Sequence, residues 1–199
     1  MTTKAIVSYD DTPNDHDALT LARVLADAGA ELTLVYVRHT TQTESAREQL
    51  EEHEAEALLE RGARTLGDLE VERRVVVSGS TAEGLKWLAE HEGADVIVFG
   101  SDYRTAAGHV APQKSAQTLL EGGPAAVALA PANYRSDHAT RFGRIGLLAD
   151  PSDDAAIETA RGLSESLRVR VTSDEPHVDL LVVGSRSEAP AGRVLISSY

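Results

Sequence analysis

The sequence contains no cysteine in 199 residues. That removes disulfides, thiolate chemistry and cysteine-ligated metals from consideration. Basic residues are scarce as well. Lys4, Lys86 and Lys114 are the only lysines, and the net charge is −13. Non-specific nucleic-acid binding needs clustered Lys and Arg, so that class is excluded. No apolar run approaches the ~20 residues needed to cross a bilayer, so no membrane partner is expected. The start, MTTKAIVSYDD, runs into a strand without the charged and apolar regions of a signal peptide. A cytoplasmic protein is the expectation. The seven histidines are scattered, with no pair at i, i+4 on one helix, so no metal site is assigned. Ser101 and Ser185 each follow a strand glycine, but neither lies in a G-x-S-x-G elbow, so no catalytic residue is assigned either.

What is present is a hydrophobic content of 42%, enough for a packed core, arranged as strands alternating with helices. AIVSY (5–9), LTLVYV (32–37), VERRVVV (71–77), DVIVFG (95–100) and AAVALA (125–130) read as strands. Helices are predicted over 14–28 and 43–65, with a third that buries a stripe of Ala82, Leu85, Leu88 and Ala89 and a fourth near 115–121. Asn14 is the expected N-cap of the first and Gly29 its end. Ser80 and Glu83 have capping-box spacing for the third. The second is expected to bury a weak stripe at Ala46, Leu50, Ala57 and Leu58. Glu44, Glu48, Glu51, Glu52, Glu54, Glu56 and Glu60 crowd this helix and read as its solvated face. Trp87, the only tryptophan, reads as partly buried packing. Nearly continuous apolar strands imply an open parallel five-stranded sheet with helices on both faces, an α/β fold of Rossmann-like type. Right-handed crossovers then gather the strand-end loops on one rim, where ligands sit in such sheets.

The most informative stretch is VIVFGSDYRTAAGHVAPQKSAQTLL, residues 96–120. A strand ends at Gly100-Ser101, a loop of small residues follows, and a helix begins near Ser115. Loop amides and a helix N-terminus aimed at one spot form an anion site. Arg104 suits phosphate oxygens through its planar fork, Lys114 as a point charge, and His109 lies on the same loop. The chain then repeats itself. PANYRSDHATRFG (131–143) reads as a linker. RIGLLAD (144–150) ends in Asp150-Pro151-Ser152 as the first strand ends in Asp10-Asp11-Thr12. LLVVGSR returns at 180–186. The expected division is a domain at 1–133, a linker at 134–142 and a truncated second repeat at 143–199. Asp10 and Asp11 also resemble the acidic pair of a receiver domain. That reading needs an aspartate after the third strand, which instead ends Val77-Ser78-Gly79. A strand-end aspartate that caps a turn is the plainer reading, and Thr12 and Asn14 read as helix-entry residues.

These residues resemble the universal stress protein family in its tandem form. In that family the first strand ends in Asp-Gly-Ser, matched here by Asp10, Asp11 and Thr12. The second strand ends in an apolar segment that touches adenine, matched by Tyr36-Val37. The fourth leads into a glycine motif that wraps the ribose and phosphates of ATP. Its first glycine falls on Gly100, its second on Tyr103, its third on Gln113 and its hydroxyl position on Lys114, with Ser115 one step on. In the second copy the positions fall on Gly184, Ser187, Ser197 and Ser198. The resemblance implies a non-catalytic stress-response module that acts by dimerisation and by binding ATP or another adenine nucleotide, with Mg²⁺ only alongside the nucleotide. Its implied ligand residues are Asp10, Asp11, Thr12, Val37, Gly100, Ser101, Arg104, Gly108, Lys114 and Ser115. The apolar edge strand at 125–130 is implied to pair with a second copy, giving a homodimer. Two alternatives stand beside this: an ATP sensor with slow hydrolysis at the Gly100 loop, and a structural interaction protein whose nucleotide site has decayed.

Overall fold

The computed structural model describes residues 2–39, 45–136, 143–173 and 177–184. They fall into two compact units, residues 1–137 and 138–199. In the first, the order is β1 (Lys4–Ser8), α1 (Pro13–Asp27), β2 (Glu31–His39), α2 (Ser45–Thr65) and β3 (Val71–Ser78). It continues with α3 (Thr81–Glu92), β4 (Val96–Gly100), α4 (Lys114–Gly122) and β5 (Ala126–Ala130). The five strands form one parallel sheet in the order β3-β2-β1-β4-β5. The two central strands are buried on both faces, as their unbroken apolar sequences require: Ala5, Ile6 and Val7 of β1 and Ile97, Val98 and Phe99 of β4 are at most 1% exposed. The chain winds outward from β1 to β3 and then crosses back to β4. The strand order therefore reverses between β1 and β4, which places a crevice outside their C-terminal ends.

The helices follow their sequence patterns with three differences. First, α1 begins at Pro13, and its N-cap is Thr12 rather than the expected Asn14. Proline lacks an amide hydrogen and has its φ preset, so it fits the first helical position. Thr12 Oγ1 accepts from the Asp15 amide at 3.3 Å, and the Asp15 carboxylate accepts from the Thr12 amide at 3.0 Å. Second, the buried stripe of α2 runs through Ala55, Leu59 and Gly62, while Ala57 and Leu58 are half-buried; the side chains of Ala46 and Leu50 lie outside the described residues. Third, Trp87 is 52% exposed, because the buried face of α3 is formed by Ala82, Leu85, Leu88 and Ala89. Ser80 caps α3 as expected, accepting from the Glu83 amide at 3.2 Å.

After β5 the chain does not leave the sheet at once. Ala132 is 6% exposed, and Asp17 of α1, fully buried, accepts from the amides of Asn133 and Arg135 and from the Arg135 guanidinium.

The second unit, taken by itself, contains β6 (Arg144–Leu148), α5 (Asp154–Leu167), β7 (Arg170–Thr172) and β8 (Leu180–Val183). Its parallel sheet has the order β7-β6-β8. That is the order of β2-β1-β4 in the first unit. Asp153 caps α5, accepting from the Ala156 amide at 3.1 Å. Where α5 does not cover the sheet, Leu181 is 51% and Leu148 40% exposed.

Candidate functional site

Asp10, Asp11 and Thr12 follow β1 and turn the chain into α1. Asp10 stands at the rim, exposed as a residue, and its amide donates to Asp15 Oδ2 at 3.0 Å. Its carboxyl is pushed up to about 6, chiefly by lost hydration and then by the Asp15 carboxylate, with His39 opposing. Asp11 has φ 60°, the left-handed region where the resembled family has glycine. Aspartate tolerates that conformation better than most residues. Here its side chain is also fixed: the Tyr9 hydroxyl donates at 2.7 Å, Arg61 at 2.9 and 3.0 Å, and His16 Nε2 lies at 3.3 Å. These contacts, the Tyr9 hydrogen bond foremost, hold its carboxyl below the usual aspartate value. Asp11 thus ties β1 to α1 and α2. Thr12 is occupied as the cap of α1.

At the end of β4, Gly100 is required by packing. A Cβ there would lie 2.5 Å from the carbonyl carbon of Asn14, so the first turn of α1 rests against the Gly100 backbone. The Asn14 side-chain amide donates to the Ser101 carbonyl. Ser101 is 2% exposed. Its hydroxyl donates to the Ala130 carbonyl at 2.7 Å and accepts from the Ala111 amide at 3.3 Å, which binds β4, β5 and the loop together.

Several of the loop's amides are spent within the protein. Asp102 N donates to Ala111 O, Thr105 N to Asp102 O, His109 N to Ala106 O, and Arg104 N to the Asp102 carboxylate. Gly108, at φ 78°, bends so that its amide reaches the Ala132 carbonyl at 2.8 Å. Tyr103 does not fill the loop. It is 74% exposed, and its hydroxyl accepts from Arg104 Nε at 2.7 Å, with the guanidinium over its ring. Arg104 is therefore engaged with its neighbour. Thr105 Oγ1 is buried without a hydrogen-bond partner.

Further donors lie at α4. Its N-cap, Gln113, makes no side-chain capping bond. The amides of Lys114, Ser115 and Ala116 are consequently free of a cap, and they carry the positive end of the helix dipole. Lys114 is exposed and Ser115 half-buried. Val37, 3% exposed, turns its side chain into the core against α3, where a Cβ on Gly84 would meet its Cγ1 at 2.9 Å.

Of the residues singled out in the sequence, Asp10, Gly100, Ser101, Lys114 and Ser115 thus share the C-terminal rim, with Gly100 and Ser101 in structural roles. Asp15, Asn14 and His39 belong to the same rim and were not singled out as ligand-facing. Only Asp15 carried a local signal, three residues after Thr12 in capping-box spacing. In the second unit Gly184 is also closely packed. A Cβ there would lie 2.7 Å from Ala149 Cβ and also strike the Asp153 side chain that caps α5. Ser187, Ser197 and Ser198 lie outside the described residues. Among the described residues, no group of three or more His, Asp or Glu is placed to hold a metal ion, and no helix is long and apolar enough to cross a membrane.

A sequence model of the universal stress protein family matches residues 1–131. No curated protein matches the chain. The crystal structure of a universal stress protein from Archaeoglobus fulgidus DSM 4304 superimposes with a TM-score of 0.64 at 17% identity, covering 86% of this chain and 68% of that one. The structure of the hypothetical protein MJ0577 superimposes at 0.52 with 21% identity, covering 65% and 96%. That of a universal stress protein in complex with cAMP does so at 0.50 with 19% identity, covering 66% and 98%. At these identities the likeness is one of fold.

Proposed function

The chain belongs to the universal stress protein family, and we propose that its first unit binds an adenine nucleotide without turning it over, as part of a cytoplasmic stress response. The observation that carries this reading is the uncapped N-terminus of α4, with Lys114 and Ser115 on its first turn, on the same rim as Asp10. Two further points support it. Thr105 Oγ1 leaves an unmet hydrogen bond in the adjoining loop, and a solved structure of the same fold is a complex with cAMP.

The residues proposed to meet the ligand are Asp10 on the sugar side and Lys114 and Ser115 on the phosphate side. The amides of Asp102, Arg104, Thr105, Gly108, His109 and Ala111 are already used within the protein. With those six amides committed, a nucleoside monophosphate is the preferred ligand and ATP a weaker one. Mg²⁺ enters only with a polyphosphate. With the Ser101 hydroxyl held by Ala130 and Ala111, no nucleophile is assigned.

Thermal unfolding with AMP, cAMP, ADP and ATP, each with and without Mg²⁺, tests this. A ligand at one hundred times its dissociation constant adds about 2.7 kcal/mol of apparent stability. AMP or cAMP is expected to give the larger shift. Lys114→Ala is expected to weaken it about tenfold, or ~1.4 kcal/mol, without changing the unliganded melt, since Lys114 is exposed. No shift with any nucleotide would overturn the proposal.

Association is proposed through β5. It is an edge strand, and Ala126, Val127, Ala128 and Leu129 are exposed or half-buried. Such an edge invites pairing. Antiparallel pairing with a second copy would make a homodimer. Light scattering that finds only monomer at tens of micromolar would reject it. The second unit is proposed as a shortened repeat of the same fold, on the matching strand order and on the close packing at both Gly100 and Gly184.

A further inference from the structure

Residues 130–135, the end of β5 and the turn after it, are bonded on two sides. On one side lies the loop that leads to α4. The Ser101 hydroxyl donates to the Ala130 carbonyl at 2.7 Å. Ala132 makes a reciprocal pair with the same loop. Its carbonyl accepts from the Gly108 amide at 2.8 Å, and its amide donates to the His109 carbonyl at 2.9 Å. On the other side lies α1. The buried Asp17 carboxylate accepts from the Asn133 and Arg135 amides. Arg135 Nη1 donates both to Asp17 and to the Pro13 carbonyl in the first turn of α1. Asn133, at φ 66°, bends the chain from the Ala132 pair to Asp17. Left-handed backbone has a cost outside glycine, and it persists where the surroundings over-determine it.

These bonds join the two halves of the rim. Pro13 follows the Thr12 cap and lies three residues after Asp10. The loop is pinned at Gly108 and His109. It then runs back along its own start, with Ala111 accepting from the Asp102 amide and Pro112 bridged to Ser101, and passes into Gln113 and the first turn of α4. Asn14 closes the circuit by donating to the Ser101 carbonyl. Asp10, Lys114 and Ser115 contribute none of these bonds.

We propose that residues 130–135 are a strap that positions the nucleotide site, with Asp17 as its anchor and so a positioning residue that never touches the ligand. The proposal rests on the nucleotide reading given above and adds a coupling to it. A ligand held between Asp10 and the α4 amides spans the α1 side and the loop side of the rim, and the closed strap spans the same two sides from behind. When the strap opens, Gly108 and His109 lose their outer partners, and the loop sets α4 less firmly opposite Asp10. A site that is competent for only part of the time binds more weakly in proportion. By linkage, whatever factor the closed strap adds to affinity, the ligand adds to closure of the strap.

AMP is the probe, titrated by calorimetry into the full chain. Asp17→Asn keeps the side-chain volume but turns one acceptor oxygen into a donor facing donors. Its affinity for AMP is expected to fall about tenfold (~1.4 kcal/mol), with the circular dichroism of a folded protein. Arg135→Ala leaves both amides their acceptor, and a loss of about threefold is expected; it carries the same comparison if Asp17→Asn does not fold. Amide exchange followed by NMR gives the reciprocal measure. AMP at saturation is expected to slow exchange at Asn133 and Arg135 about tenfold in the parent, to have no such effect in Asp17→Asn, and to leave Glu72 and Arg73 of the β3 edge unmoved. A lower melting temperature in Asp17→Asn with unchanged affinity for AMP would make Asp17 a structural residue only and overturn the proposal. So would AMP binding that leaves exchange at Asn133 and Arg135 as it was. A parent that binds no nucleotide would overturn the nucleotide reading itself, and the coupling with it.

Discussion

Gly100 and Asn14 touch backbone to backbone: a Cβ on Gly100 would lie 2.5 Å from the Asn14 carbonyl carbon and 3.0 Å from its Cβ. This contact seats the N-terminus of α1 on the end of β4, and it explains the glycine without any ligand. Gly100→Ala is therefore expected to destabilise the fold by at least ~1–3 kcal/mol, the usual cost of overpacking, because the obstacle is main chain that cannot swing aside. Urea denaturation measures it. A cost below ~0.5 kcal/mol, the scatter of neutral surface changes, would show that the contact yields easily.

The fold was largely legible because it is periodic. The strand runs near 5–9, 32–37 and 95–100 are close to β1, β2 and β4, and the α3 stripe of Ala82, Leu85, Leu88 and Ala89 is buried as read. The site was less so. Gly100 looked like a phosphate glycine because sequence cannot distinguish a backbone that approaches a ligand from one that approaches a helix. Asn14 looked like a cap because its chemistry suits one, yet Pro13 moved the helix start and freed Asn14 to bond Ser101, 87 residues away. That Tyr103 lies on the surface beneath Arg104 could not be read from its place in a glycine motif.

Asp10 should make the protein lose stability as pH rises. Its folded value of about 6 exceeds the ordinary 3.8, so the folded state holds the proton more tightly than the unfolded chain. The cost of its charge is absent below about pH 4, grows as pH rises through the interval, and is complete above about 6. Asp10→Asn is expected to be more stable than the parent at pH 7 and indistinguishable from it near pH 3.5. Carboxyl-carbon NMR titration gives the site directly. A resonance that titrates near 4 would refute the assignment.

Asp11 acts in the opposite sense. Its carboxyl is held low, first by the Tyr9 hydroxyl and then by Arg61, so its contribution is present above about pH 4 and fades as pH falls. Asp11→Ala loses these bonds, strands the buried Tyr9 hydroxyl, and places a Cβ at φ 60° without compensation. Asp11→Gly loses the bonds but relieves the backbone. The alanine variant is expected to be the less stable of the two by ~1 kcal/mol. Equal stability in thermal melts would mean that the left-handed conformation relaxes on substitution.

Asp17 is the fully buried carboxylate of the first unit, and its partners lie 116 and 118 residues away. The Asn133 amide donates at 2.8 Å, the Arg135 amide at 2.9 Å and Arg135 Nη1 at 3.0 Å. Together they hold the chain after β5 against α1. Asp17→Ala leaves two amides without an acceptor and is expected to cost ~2–4 kcal/mol. Arg135→Ala should cost less, about 1 kcal/mol, because Arg135 is partly exposed and both amides keep their acceptor. Trypsin supplies the second readout: cleavage after Arg135 should accelerate in Asp17→Ala under native conditions, since three of the bonds that order this segment end on that carboxylate. A segment equally resistant in both proteins would mean that packing of Ala132, rather than Asp17, keeps it in place.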